Sequence, residues 1–363
     1  MSAPLPALGD EVKIALIGLQ RSGKTTVFKA LTGLTPPDTA HAKGEKHLGV
    51  IRIEDGRVDA LSAIFSPKKT TYSEITLIDM LAVEHGDNGP ILDPERLGVL
   101  KTADAFSHVV RAFSNPSVAH PKISINPLRD AQLIESELVS ADYVVIEKRF
   151  ERMAKEHSEG HEREVLEKCK AYLEREMPLR LLQLTDQERG LIGGYSLASQ
   201  KPTLLLANID EKDTGAESHH DLAEYARSRG MGYVEVSAEI ELEIGQLEPE
   251  DAQAFQREMG ISEPAKPKFI RAAYDMMRLI SFFTVGTNEV KIWTVPTGTT
   301  AIQAAGHVHT DMARGFIRAE VVACPDFVQA GGFAEARKHN TLHVEGKDYT
   351  VRDGDVIYFR FNV

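Results

Sequence analysis

Val12-Lys13-Ile14-Ala15-Leu16-Ile17-Gly18-Leu19-Gln20-Arg21-Ser22-Gly23-Lys24-Thr25-Thr26-Val27-Phe28 is the stretch on which the fold turns. A β-rich run leads into Gly18, and a helical pattern follows through Phe28, Ala30 and Leu31. That is the order strand, glycine loop, helix. Gly18 and Gly23 are separated by four residues and followed by Lys24 and the hydroxyl of Thr25. The spacing suits a loop that aims successive backbone N–H groups at phosphates, with a helix N-terminus behind them and a lysine reaching the β and γ oxygens. Gly18, Arg21, Ser22, Gly23, Lys24, Thr25 and Thr26 are therefore expected to bind a nucleoside triphosphate, ATP or GTP, with Thr25 on Mg2+.

Working outward, β-like runs at 75–78, 108–113, 203–207 and 233–236 alternate with helical or loop segments, as in a mostly parallel α/β sheet. Asp79 ends the first of these runs, where an acid can hold the metal directly or through water; a cap or turn role is the alternative. Ala82 and Val83 follow where switch loops place a glycine and a water-orienting residue, and residues 86–90 read as a loop. Asn208-Ile209-Asp210-Glu211 follows the strand at 203–207, at the sheet edge where a base would lie. Guanine-specific sites have Asn-Lys-x-Asp there, so Glu211 moves the acceptor by one methylene and weakens guanine preference. Ile209 is expected as an apolar cover of the base, with Ser237 and Ala238 closing its other side.

Residues 126–200 interrupt this pattern with two helical stripes, one through Ile134, Leu138 and Val145, the other through Val165, Leu166 and Cys169. A helix of about 26 residues reaches roughly 40 Å, so a projecting antiparallel hairpin is expected. The Pro/Lys stretch at 263–268 precedes glycine-bounded β-like runs from 279 to 363, a separate small α+β unit. The expected domains are 1–125 with 201–278 for nucleotide, 126–200 for the helical insert and 279–363 for the small unit. At 363 residues the chain exceeds one hydrophobic core. Its 42 Lys+Arg against 54 Asp+Glu give a charge of −12, which leaves nucleic-acid contact to local patches such as Arg314, Arg318 and Lys347. Cys169 and Cys324 have no ligand or disulfide pattern around them, and no apolar run approaches a membrane span. A reducing cytoplasm is expected.

Phe282-Phe283-Thr284, Trp293-Thr294, Gln303-Ala304-Ala305-Gly306, His309-Thr310-Asp311, Gly315-Phe316-Ile317-Arg318-Ala319 and Asp353-Gly354-Asp355-Val356 resemble the C-terminal segment of the YchF/Obg-like ATPases. The resemblance covers nearly the whole chain. It implies a P-loop domain, a coiled-coil insert, a ubiquitin-like β-grasp (TGS) domain, adenine tolerance, slow ATP hydrolysis and association with ribosomes, with further protein partners at the insert and the TGS domain. The family loop has Pro-Asn-Val where this chain has Gln20-Arg21-Ser22, and that Asn suits a potassium ion. Arg21 carries a fixed charge in its place, which predicts turnover independent of potassium unless the side chain simply faces solvent. The family's catalytic histidine is matched to His108, before Val109-Val110-Arg111, and its switch threonine to Thr39 as a further metal ligand.

Two functions from different classes stay open. One is a slow ATPase switch in which Lys24, Arg21 and Mg2+ supply the electrostatics and His108 assists. The other is a nucleotide-dependent binding module with almost no turnover, which Ala82 and Val83 motivate. A true GTPase is a variant of the first.

Overall fold

A computed structural model of the chain describes residues 11–34, 46–80, 92, 94–157, 160–213 and 219–362. The apolar run becomes β1 (Val12–Ile17) and the glycine loop leads into α1 (Lys24–Thr32). Next come β2 (Lys46–Arg52), α2 (Gly56–Phe65), β3 (Lys69–Thr71), β4 (Glu74–Met80), α3 (Pro94–Thr102) and β5 (Ala105–Ala112). The insert supplies α4 (Pro127–Glu156), α5 (His161–Leu173) and α6 (Asp186–Ile192). Then follow β6 (Thr203–Ile209), α7 (His220–Ser228), β7 (Gly232–Val236), α8 (Ala238–Ile244), α9 (Pro249–Glu258) and α10 (Ala265–Met277). The remainder is β8 (Leu279–Thr284), β9 (Glu289–Pro296), α11 (Ala301–Val308), α12 (Thr310–Arg314), β10 (Phe316–Ala323), α13 (Cys324–Ala330), α14 (Phe333–Lys338), β11 (His343–Glu345) and β12 (Asp355–Phe361).

These elements gather into two compact units, one of Lys13–Val50 with Thr76–Met276, the other of Ile51–Ile75 with Met277–Val363. The first sheet runs β2-β4-β1-β5-β6-β7, with β1, β5, β6 and β7 pairing in parallel. β6 is buried along its whole length and β5 nearly so, because helices cover both faces of a parallel sheet and leave no polar side.

Helix α4 starts on Asn126, whose side chain accepts from Arg129 N, with Pro127 in the first turn. It does two jobs. Ile134 and Leu138 pack with Ala15, Ile17 and Phe106 in the core of the first unit, whereas Val139, Ile146 and Met153 meet Val165, Leu166, Cys169 and Leu173 of α5. The seven-residue spacing of that second set is a coiled-coil seam. The hairpin is unequal, 30 residues in α4 against 13 in α5. Its root is thus part of the first unit's core, so packing does not follow the boundary expected at residue 126.

The second sheet runs β11-β10-β12-β8-β9-β3 and is mixed: β8 and β9 are antiparallel, β12 and β8 parallel. Adjacent Phe282 and Phe283 point to opposite faces, and each face has a core. Phe282 packs with Ala301, Ala304 and Ala305 of α11. Phe283 packs with Val58 and Leu61 of α2 and with Phe327 of α13. Residues 51–75 therefore belong with the C-terminal segment, whereas the sequence placed them in the nucleotide domain. The Pro/Lys stretch opens a helix: Lys266-Pro267-Lys268 lies in the first turn of α10, where a proline costs no hydrogen bond.

Candidate functional site

The carboxyl end of β1 turns at Gly18, whose φ is 141°; a Cβ there would stand 2.3 Å from the Val109 carbonyl oxygen on β5. Gly23, φ 90°, caps α1, and its Cβ would stand 2.2 Å from Asn208 Nδ2. Both positions exclude any side chain. Between them Arg21 takes a left-handed conformation, φ 60°. No side chain caps α1 and no acid occupies its first turn, so its first N–H groups keep their positive potential for an anion.

Lys24 opens α1 and folds back over the loop, its Nζ donating to the Gly18 carbonyl at 3.1 Å and the Leu19 carbonyl at 2.7 Å. Burial lowers its pKa to about 8, a shift that Asp79 opposes and Arg96 adds to. Thr25 Oγ1 donates to Asp79 Oδ2 at 2.8 Å. Asp79 is fully buried at the end of β4, and desolvation raises its pKa against the lowering by Thr25, Lys24 and His47. Its Oδ1 has no hydrogen-bond partner among the described residues. A hydroxyl donating to a carboxylate keeps a lone pair for a cation, so Thr25 and Asp79 fit a divalent ion. Thr26 follows in the same first turn. Thr39, Ala82, Val83 and residues 86–90 lie outside the described residues.

The base motif joins this loop through one side chain. Asn208, buried near the end of β6, donates from Nδ2 to the Ser22 carbonyl at 3.2 Å and accepts at Oδ1 from Ala238 N at 3.2 Å. Ser237, also buried, precedes α8. Glu211 is exposed where a short 3-10 turn begins. Ile209 departs from expectation: it is buried with Val110, Ala207 and Leu222, so it packs in the core and does not cover a base. Strand alternation decides this, because Asn208 and Ile209 point to opposite faces.

His108 is 1% exposed in the middle of the sheet, opposite Ile17 on β1 and Leu205 on β6. Burial, with Lys24 and Arg180 nearby, holds its pKa down to about 3, so the ring is neutral. That is a packed imidazole under the loop with no surface to offer a phosphate. Arg21 is exposed and its Nη1 donates to the Ala119 carbonyl at 3.1 Å.

Three further residues of this region have no role assigned by the sequence. The fully buried guanidinium of Arg111 donates to the carbonyls of Phe113, Asn115 and Val118, and so shapes the loop after β5. His120, next to the Ala119 that Arg21 holds, places Nε2 2.8 Å from Asp130 Oδ2, both side chains 3% exposed. His47, on β2, lies 3.9 Å from Asp79 Oδ2. Arg111 closes the His108-Val109-Val110-Arg111 stretch without a role of its own there, His47 and His120 belong to no motif with fixed spacing, and the folded chain brings all three to the loop.

Known proteins resemble the chain over nearly its whole length. A family model described as "YchF-GTPase_C: Protein of unknown function (DUF933)" matches residues 279–362. The chain is 36% identical over 360 residues to the ribosome-binding ATPase YchF of Bacillus subtilis, covering 96% of this chain and 98% of that protein. It is 37% identical to the protein of the same name from Haemophilus influenzae, covering 97% and 99%. Among solved structures, the Schizosaccharomyces pombe YchF GTPase aligns with a TM-score of 0.82 at 26% identity, over 98% of this chain and all of that one.

Proposed function

We propose, from the premise that this chain belongs to the YchF family, that it binds a purine nucleoside triphosphate with a divalent ion, hydrolyses it slowly and associates with ribosomes. Asn208 carries the nucleotide reading: one buried amide fastens the phosphate loop at Ser22 to the base motif at Ala238, as a site that grips both ends of one ligand requires. The loop amides and Lys24 would take the β and γ oxygens, at the cost of the ammonium's present bonds to Gly18 and Leu19. Thr25 and Asp79 would hold Mg2+, which supplies charge neutralisation between the phosphates. Calorimetric titration with ATP, GTP and their diphosphates, with and without Mg2+, tests the site. Single-turnover loss of γ-phosphate over hours separates a slow hydrolase from a binding module.

Base choice is assigned to Glu211. Glu211→Asp restores the shorter acceptor of guanine-specific sites, and it should move the ratio of GTP to ATP affinity towards GTP by about tenfold. Competition of the two nucleotides for a fluorescent analogue measures it. An unmoved ratio removes Glu211 from base recognition.

For ribosome association the second unit offers a charged face. Glu320 is buried on β10, and the exposed guanidiniums of Arg318 at 3.4 Å, Arg360 at 3.3 Å and Arg337 at 3.2 Å all close on its carboxylate. Three cations on one anion leave a net positive spot, with Arg360 also over the ring of Tyr358 at 4.4 Å. Of the expected patch only Arg318 joins this cluster; Arg314 pairs with Asp311. Arg318→Gln with Arg360→Gln should lower ribosome co-sedimentation and reduce its log–log salt slope by about 1 to 2, one per lost phosphate contact. Arg337 still neutralises Glu320 in that variant, so the fold is kept.

A further inference from the structure

The open end of the second sheet carries an aromatic ring as well as charge. Strand pairing sets Val344 of β11, Glu320 of β10 and Tyr358 of β12 side by side on one face, with Arg318 opposite Arg360 in the next row. Farther along that face Val322 and Val356 are buried with Phe327 of α13 and Ala336 of α14. The cover ends there: Val344 is 58% exposed and Tyr358 42%. An uncovered ring among guanidiniums suits a ligand that is flat, apolar on its faces and negatively charged along its backbone.

Tyr358 is braced as a platform. The Phe333 ring meets it in a T-shaped contact with centroids 6.0 Å apart, and the Arg360 guanidinium lies over it at 4.4 Å. Arg360 Nε donates to the buried Glu320 carboxylate at 3.3 Å. Glu320 thereby fixes a guanidinium on an aromatic ring, and unstacked bases lie on both kinds of plane. The other N–H donors of Arg360 remain for phosphate. An acidic peptide would use the guanidiniums without the ring, and a duplex keeps its bases inside its own stack. We propose that this face binds single-stranded RNA, with one unstacked base on the Tyr358–Arg360 pair and the backbone along Arg318 and Arg337. This rests on the ribosome association of the second unit and names the chemistry that unit would recognise.

Fluorescence anisotropy of the full chain with a short labelled single-stranded RNA of mixed sequence tests it, beside ribosome co-sedimentation of the same variants. Unlabelled single strand should compete better than the matching duplex or a glutamate-rich peptide. Tyr358→Leu should weaken RNA binding about tenfold and lower co-sedimentation, with its log–log salt slope unchanged because no charge is lost. Tyr358→Phe keeps the ring and the Phe333 contact, and it should bind as the wild type does. Equal competition by duplex or peptide, or a Tyr358→Leu variant that binds RNA like the wild type, overturns base stacking and leaves the ribosome association standing. If the wild type fails to co-sediment with ribosomes, that association fails and the assignment falls with it.

Discussion

Lys24→Ala should weaken ATP binding by about a hundredfold or more while the protein stays folded. The ammonium faces the loop carbonyls of Gly18 and Leu19 and is withdrawn from water enough to bring its pKa to about 8. A triphosphate would replace those two neutral carbonyls with charged oxygens, and charge-assisted hydrogen bonds are roughly twice as strong as neutral ones. Losing about 3 kcal/mol of binding corresponds to a factor of about a hundred. Stability should move little, because the variant also removes the cost of desolvating a cation. Calorimetry against ATP, with circular dichroism on the same samples, checks both halves. A folded variant that binds ATP as the wild type does would mean that Lys24 does not face phosphate.

Gly18→Ala should lose nucleotide binding and stability together. Its added methyl would meet a backbone oxygen, Val109 O at 2.3 Å, from a φ of 141° that L-residues rarely adopt. A flexible side chain could swing aside, but a carbonyl of β5, held by its pairing with β6, cannot. Relief requires the loop or the strand to move, at about 2–4 kcal/mol. Gly98→Ala is the control: the residue is exposed in α3 and its Cβ would meet nothing within 4 Å. It should be neutral or stabilising by about 0.5–1 kcal/mol. Gly18→Ala should therefore lower both the denaturant midpoint and ATP affinity, whereas Gly98→Ala should leave ATP affinity unchanged and the midpoint unchanged or higher. If the Gly18 variant matched wild type in both measurements, the steric account of the loop would be wrong.

The phosphate loop is legible in sequence because its chemistry is local: two glycines, a lysine and a threonine carry their roles within eight residues. Asp79 and Asn208 are legible for a related reason, since each sits at the end of a recognisable apolar strand. Ile209 misleads because a motif fixes the order of residues and says nothing about which face of a strand each occupies. The membership of α2 and β3 is illegible on other grounds. Val58 and Leu61 give α2 an apolar stripe that fits any sheet, and Lys69-Thr70-Thr71 is too short and polar to name its partner strand. His47 acts through a contact between separate strands, and Arg111 and His120 through an irregular loop whose path no spacing rule gives.

One uninterrupted rod, α4, is seated among Ile17 and Phe106 at its root and zipped to α5 farther along. Its 30 residues span about 45 Å. A pivot of about 5° at the seat would sweep the distant end through about 4 Å, so the helix can turn a slight rearrangement near the phosphate loop into a stroke large enough to make or break a remote grip.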